Sequence, residues 1–149
     1  YNNEYNAVSW ENCTLRKWLN NDFYNTAFSN EEKKKIVPTK LVNEANTKRP
    51  RSGGNDTEDN VWLLSLRELN EYFPDVTDRE ARMCLPTAYA VSNGVYQSEK
   101  YHISGESTCW WWLRSPGDEE KDAAVVSEGG YERSVRQPSL FENGFTTAH

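Results

Sequence analysis

At 149 residues the chain is sized for one domain with a core able to stand alone. Its formal net charge of -6, from 17 Lys and Arg against 23 Asp and Glu, argues against nucleic acid as a partner, because phosphate binding needs clustered cations. No apolar run is long enough to cross a bilayer, so no membrane insertion is expected. Instead, 13% aromatic residues and a mean hydropathy of -0.90 describe a polar, loop-rich chain whose core draws on Trp, Tyr and Phe.

Residues 1–8, rich in Asn and Tyr, read as an extended lead-in. Ser9 is the expected N-cap of a helix through Asn20, with Leu15, Trp18 and Leu19 at i, i+3 and i+4 as its buried stripe. Asp22 to Phe28 suggests a further turn or two of helix, with Phe23, Ala27 and Phe28 inward. Ser29-Asn30-Glu31-Glu32 is a capping box opening a short helix to Ile36, on which Lys33, Lys34 and Lys35 face solvent. Val37-Pro38 ends it, and Lys40-Leu41-Val42 has strand character. Asn43 to Asn60 has almost no apolar residue and contains Gly53-Gly54, which predicts a long functional or mobile loop.

Val61-Trp62-Leu63-Leu64 reads as a buried strand. Ser65-Leu66-Arg67-Glu68 is a second capping box, for a helix to Phe73 that Pro74 follows. A helical turn or two is expected within Thr77–Met83, and Thr87 caps a short helix that Gly94 terminates. Tyr96 to Thr108 reads as polar loop. Then comes Cys109-Trp110-Trp111-Trp112-Leu113-Arg114-Ser115-Pro116-Gly117. Alternation would put Trp110, Trp112 and Arg114 on one face and Trp111, Leu113 and Ser115 on the other. Large apolar groups on both faces predict a strand covered on both sides, the centre of the sheet, stopped by Pro116-Gly117. An acidic stretch from Asp118 to Asp122 leads to a strand over Ala123–Val126, a turn at Glu128-Gly129-Gly130, and a last strand within Tyr131–Leu140. Helices first and strands later predict an α+β fold with an antiparallel sheet, and no repeat or linker divides residues 1–149 into more than a single domain.

Catalytic patterns are absent from the primary structure. His102 and His149 belong to no Ser or Cys motif, and the glycine pairs lack the further Gly or Lys of a phosphate loop. Cys13, Cys84 and Cys109 have none of the close spacing of a zinc site and read as small buried side chains, with at least one unpaired thiol. Asp118, Glu119, Glu120 and Asp122 carry the oxygens calcium prefers, but without the alternation of an EF-hand, so a solvated acidic turn is the expectation and no metal or cofactor is assigned. Arg114 and Arg136 stand among apolar neighbours and must be paired with a carboxylate or stacked on an aromatic ring.

The string Trp111-Trp112-Leu113-Arg114-Ser115-Pro116-Gly117 resembles the signature of a bacterial domain of unknown function, grouped with C-type-lectin-like folds and with the formylglycine-generating enzymes. Trp10–Asn20, Val61–Leu66, Cys84–Ala90 and Asp122–Val126 resemble other stretches of that family in the same order. Two departures stand out: the chain starts too late for the family's opening strand pair, and Val135–Leu140 is only the nearest match to its closing strand. The resemblance implies a C-type-lectin-like domain, with early helices packed on a twisted antiparallel sheet. It further implies a non-enzymatic binding module of a secreted or bacterial cell-surface protein, with a protein or glycan ligand. In related folds the binding face follows the tryptophan strand, which here means Asp118, Glu119, Glu120, Tyr131 and Arg133. The formylglycine-generating relatives use a copper site built on a cysteine pair, and no matching pair is visible in the sequence. A metal-dependent oxidase, or a structural segment of a larger surface protein, stands as the alternative.

Overall fold

The computed structural model describes residues 7–46 and 48–136. The helices are short: α1 (Thr14–Trp18), α2 (Tyr24–Ala27), α3 (Asn30–Lys33), α4 (Leu66–Tyr72) and α5 (Ala88–Ser92). Three antiparallel sheets accompany them. β1 (Thr39–Leu41) pairs with β2 (Thr57–Asp59), β3 (His102–Ile103) pairs with β4 (Glu106–Ser107), and β5 (Trp111–Pro116), β6 (Asp122–Val126) and β7 (Glu132–Arg136) form a sheet in that order. The fold is α+β.

The first helix starts later than Ser9 suggests. Trp10–Asn12 is a single 3-10 turn, and Cys13 caps α1, its Sγ accepting from the Arg16 N–H at 3.4 Å. Ser9 makes no capping bond and donates to Glu11 instead. The chain does not stop at Asn20-Asn21, but widens into a π-helical turn, Leu19–Phe23. Asn20 fastens that turn, donating to the Arg16 and Val61 carbonyls and accepting from the Asn60 and Val61 N–H groups. The expected stripe is buried in part: Leu19 is, but Trp18 is 44% exposed, its ring tilted against Phe23 at 5.3 Å. The buried anchor is Trp10, whose indole N–H donates to Asp59 at 3.0 Å while Arg16 Nε donates to the other carboxylate oxygen at 2.7 Å.

Both capping boxes form as the sequence predicts, at Ser29 and Ser65, and Thr87 caps α5 through the Ala90 N–H. Val61–Leu64, however, is no strand. It is irregular and half-buried, without a ladder, and joins two apolar clusters. Val61, Trp62 and Leu63 pack on Trp10, Cys13 and Leu19, while Leu64 packs with Leu66, Phe73 and Trp111 on Leu69, Leu113, Ala124 and Val126. Two segments expected to be loop contain short strands, β2 within Asn43–Asn60 and the β3–β4 hairpin within Tyr96–Thr108.

The tryptophan strand β5 lies at the edge of its sheet, and β6 occupies the centre. Its outer edge is covered, because Arg114 N–H donates to Leu64 O at 2.9 Å and the Asn46 amide donates to the Pro116 and Gly117 carbonyls. Trp111 and Trp112 oppose Val126 and Val125, after which the register shifts before Pro116 meets Ala123. Such an irregularity breaks side-chain alternation. Leu113, Arg114 and Ser115 are consecutively buried, and the three indoles are half-buried. Trp110 and Trp112 pack edge to face, and Trp111 donates its indole N–H to Arg82 O.

Arg114, 3% exposed, satisfies the expectation of a partner. It forms a bidentate pair with Glu68, with the second bond at 2.9 Å, and donates to Leu63 O and Asn43 Oδ1. Glu68 also accepts from the Ser65 N–H as half of the capping box. One carboxylate therefore ties α4, β5 and the Val61–Leu64 segment together. The side chain of Arg136, the segment Gln137–His149 and the lead-in over residues 1–6 lie outside the described residues.

Candidate functional site

The polar segment after β1 folds onto the turn between β5 and β6. Asn46 organises the crossing: its N–H donates to Arg51 O at 2.9 Å, its Oδ1 accepts from the Lys48 N–H at 3.0 Å, and its amide caps the end of β5. Gly117 permits the close approach, since a Cβ there would stand 2.5 Å from Asp122 Cβ and Ser134 Oγ.

This crossing brings cations to the acidic turn. Arg51 reaches Glu119 and Glu120 at 3.6 Å each and the Asp118 carbonyl at 3.4 Å. The two glutamates remain 65% and 72% exposed, so these pairs are weak and open to exchange, worth about 0–1 kcal/mol. Asp118 N–H donates to Ser134 Oγ at 2.7 Å, and that hydroxyl donates to Asp122. Lys48 and Arg82 both pair with Glu132. Burial raises the Glu132 carboxyl, but the Lys48 ammonium and its hydrogen bond outweigh it, and the net pKa lies below the usual glutamate value. Between these groups is a recess of about 120 Å³, bordered by Asn46, Lys48, Asp118, Glu132, Arg133 and Ser134.

The residues predicted from the sequence fall into two groups. Asp118, Glu119 and Glu120 form the β5–β6 turn with Arg51. Tyr131 lies beyond the other end of β6, a strand of about 17 Å at ~3.4 Å per residue. There the Arg79 and Arg133 guanidiniums stand over its ring, at 4.5 and 5.1 Å from the centroid. Arg133 is exposed and, like Asp118, borders the recess, so it links the two groups along β7. The contributions of Asn46, Lys48, Arg51 and Arg79 were not foreseen. The only signal was a basic stretch, Lys48 to Arg51, matching in charge the acidic one at Asp118 to Asp122.

The carboxylates weighed for calcium turn to other partners, with Glu119 and Glu120 toward Arg51 and Asp122 toward Ser134. Among the described residues no three His, Cys, Asp or Glu side chains gather as a metal site, and no helix is long and apolar enough to cross a membrane. His102 is exposed in β3, and His149 lies outside the described residues. The sequence showed no cysteine pair, yet Cys84 and Cys109 face each other as an isolated antiparallel bridge. A second cleft, about 530 Å³, opens between α5 and the β3–β4 hairpin and is lined by Pro86, Ala88, Val91, Gln97 and Glu106.

Fold and surface together describe a small α+β domain in which loops present charge of both signs at one end of β6 and an aromatic ring with guanidiniums over it at the other. The chain belongs to the family described as domain of unknown function DUF6273, whose model matches residues 1–139. No curated protein and no solved structure matches it.

Proposed function

We propose that this domain is a non-enzymatic recognition module, C-type-lectin-like in fold, carried by a secreted or surface protein of a bacterium. Its ligand is a protein or a glycan, bound by the loops that follow the tryptophan strand. The resemblance of the Trp111–Gly117 string to that lectin-like group motivates the fold and the setting. One observation carries the ligand site: the weakly paired charges of half-buried Arg51 and exposed Glu119 and Glu120 sit on a backbone tied down by Asn46. Weak pairs exchange protein partners for ligand groups at little cost, while a fixed backbone spares the entropy of ordering a loop. Tyr131 holds the Arg79 and Arg133 guanidiniums against its ring, and their N–H groups can meet acceptor oxygens of a sugar or a protein.

The test is binding of the purified domain to glycan and protein arrays, beside a variant with alanine at Asp118, Glu119, Glu120, Tyr131 and Arg133. Circular dichroism confirms that both are folded. Loss of a specific ligand in the variant is the expected result. A ligand retained by the variant at full strength, or no ligand on either array, overturns the reading.

A further inference from the structure

Cys84 follows the 3-10 turn Glu80–Arg82, and Cys109 stands two residues before β5. The two residues oppose each other in an antiparallel bridge, with Cys109 N–H donating to Cys84 O at 2.9 Å. Opposed residues of such a pair project to the same face, with Cα atoms about 4.5–5.5 Å apart, inside the span of ~4.4–6.8 Å that a disulfide bridges. Both thiols are free, and the Cys84 S–H donates to Leu85 O at 3.3 Å. They are unequal: Cys109 is 6% exposed, while Cys84 is only half-buried.

We propose that Cys84 and Cys109 are a redox-active dithiol that closes to an intramolecular disulfide by exchange with a low-molecular-weight disulfide such as oxidised glutathione. The Cys84 thiolate attacks one sulfur of that disulfide, whose S–S bond breaks, and one glutathione leaves as a thiolate that takes up a proton. Cys109 then loses its proton and attacks Cys84 Sγ in the mixed disulfide, expelling the second glutathione. The protein gives up two S–H hydrogens, and one oxidised glutathione becomes two reduced ones, so atoms and electrons balance.

The environment sorts the roles. Exposure assigns them: half-buried Cys84 is within reach of the oxidant and is the attacking sulfur, whereas buried Cys109 resolves the mixed disulfide, and the closeness of the two sulfurs lowers the Cys84 pKa and raises that of Cys109. Cys13 is an internal control: it is fully buried, its sulfur is engaged by the Arg16 N–H, and burial pushes it up to about 11. The link would close residues 85–108 into a ring. That ring carries α5, the β3–β4 hairpin and the lining of the larger cleft, so oxidation fixes those walls to the start of the tryptophan strand.

The experiment treats the native protein with oxidised glutathione, quenches in acid, denatures, alkylates the remaining thiols and reads intact mass and tryptic peptides. The expected wild-type result is a fall from three free thiols to one, no bound glutathione, and a Cys84–Cys109 linked peptide. Cys109→Ser should accumulate glutathione on Cys84, and Cys84→Ser should stay unmodified over the same time. Three free thiols after oxidation of the wild type, a stable glutathione adduct on it, or a link that includes Cys13 each overturns the proposal, and these wild-type outcomes do not depend on any variant folding.

Discussion

Replacing Glu68 by alanine should nearly unfold this domain. Glu68 meets Arg114 through two hydrogen bonds, and Arg114 is 3% exposed. Removing the carboxylate takes away the counter-charge and leaves a buried guanidinium bonded to the Leu63 and Val42 carbonyls and the Asn43 side chain. Breaking a buried ion pair from one side costs ~3–5 kcal/mol. The Ser65 N–H loses its acceptor as well, for about 1 kcal/mol more. The sum, ~4–6 kcal/mol, approaches the whole stability of many domains, ~5–15 kcal/mol. At 2–4 °C per kcal/mol it lowers Tm by roughly 8–24 °C. Calorimetry or urea unfolding of Glu68→Ala, Arg114→Met and Glu68→Ala/Arg114→Met measures it. The double variant carries no buried charge, so it should be more stable than the two single losses add up to, with a coupling of about 2 kcal/mol or more. A Glu68→Ala loss below ~1 kcal/mol, or single effects that add within ~0.5 kcal/mol, would refute the pair as the joint between α4 and β5.

The tryptophans should not be equivalent. Trp111→Ala should cost ~2–4 kcal/mol, because it empties part of the Leu113 cluster and frees Arg82 O, while Trp112→Ala should cost less than half of that; equal losses in urea unfolding would contradict the packing described here. Acid should weaken the fold through Glu68 and Glu132. Burial raises the Glu68 carboxyl, but Arg114 and the Ser65 N–H outweigh it, so both groups lie below the ordinary glutamate value in the folded state. Their contribution is complete above pH ~4.5 and disappears as pH falls through the folded values, so Tm should drop below that pH, and less steeply in Glu68→Gln. Trypsin should cut first after Lys48, which is exposed and precedes Arg49-Pro50, before any site in the sheet. The fragments should co-elute because Val61–Leu64 joins both clusters; separation on gel filtration would mean two independent units.

Much of the local structure was legible because it depends on residues a few positions apart. The Ser29 and Ser65 capping boxes, the Thr87 cap, the helix stop at Gly94 and the turn before Tyr131 each need one side chain or one glycine in the right place. Gly94 and Gly130 take the positive φ that only glycine adopts freely, 79° and 77°. The apolar run Ala123–Val126 likewise announces a strand, and it proves to be the central one. Of the candidate site, Asp118, Glu119, Glu120, Tyr131 and Arg133 could be proposed only through resemblance, because nothing in their spacing shows what crosses beside them.

What the tertiary structure alone decided concerns partners distant in the chain. Whether a strand is central or at an edge depends on what pairs with its other side. For the tryptophan strand, among the described residues, that is one bond from Leu64 and a cap from Asn46 rather than another strand. Strands of two or three residues, such as β2 and the β3–β4 pair, are too short to show a period. Trp18 keeps its helical spacing yet is exposed, because Leu15 and Leu19 are the residues that face Trp10 and Val61–Leu63. Asp59 under Trp10, Glu68 under Arg114 and Cys84 opposite Cys109 are each brought together across 25 or more positions. Sequence specifies the need of each buried charge or indole for a partner; which partner answers depends on which segments the apolar clusters draw side by side.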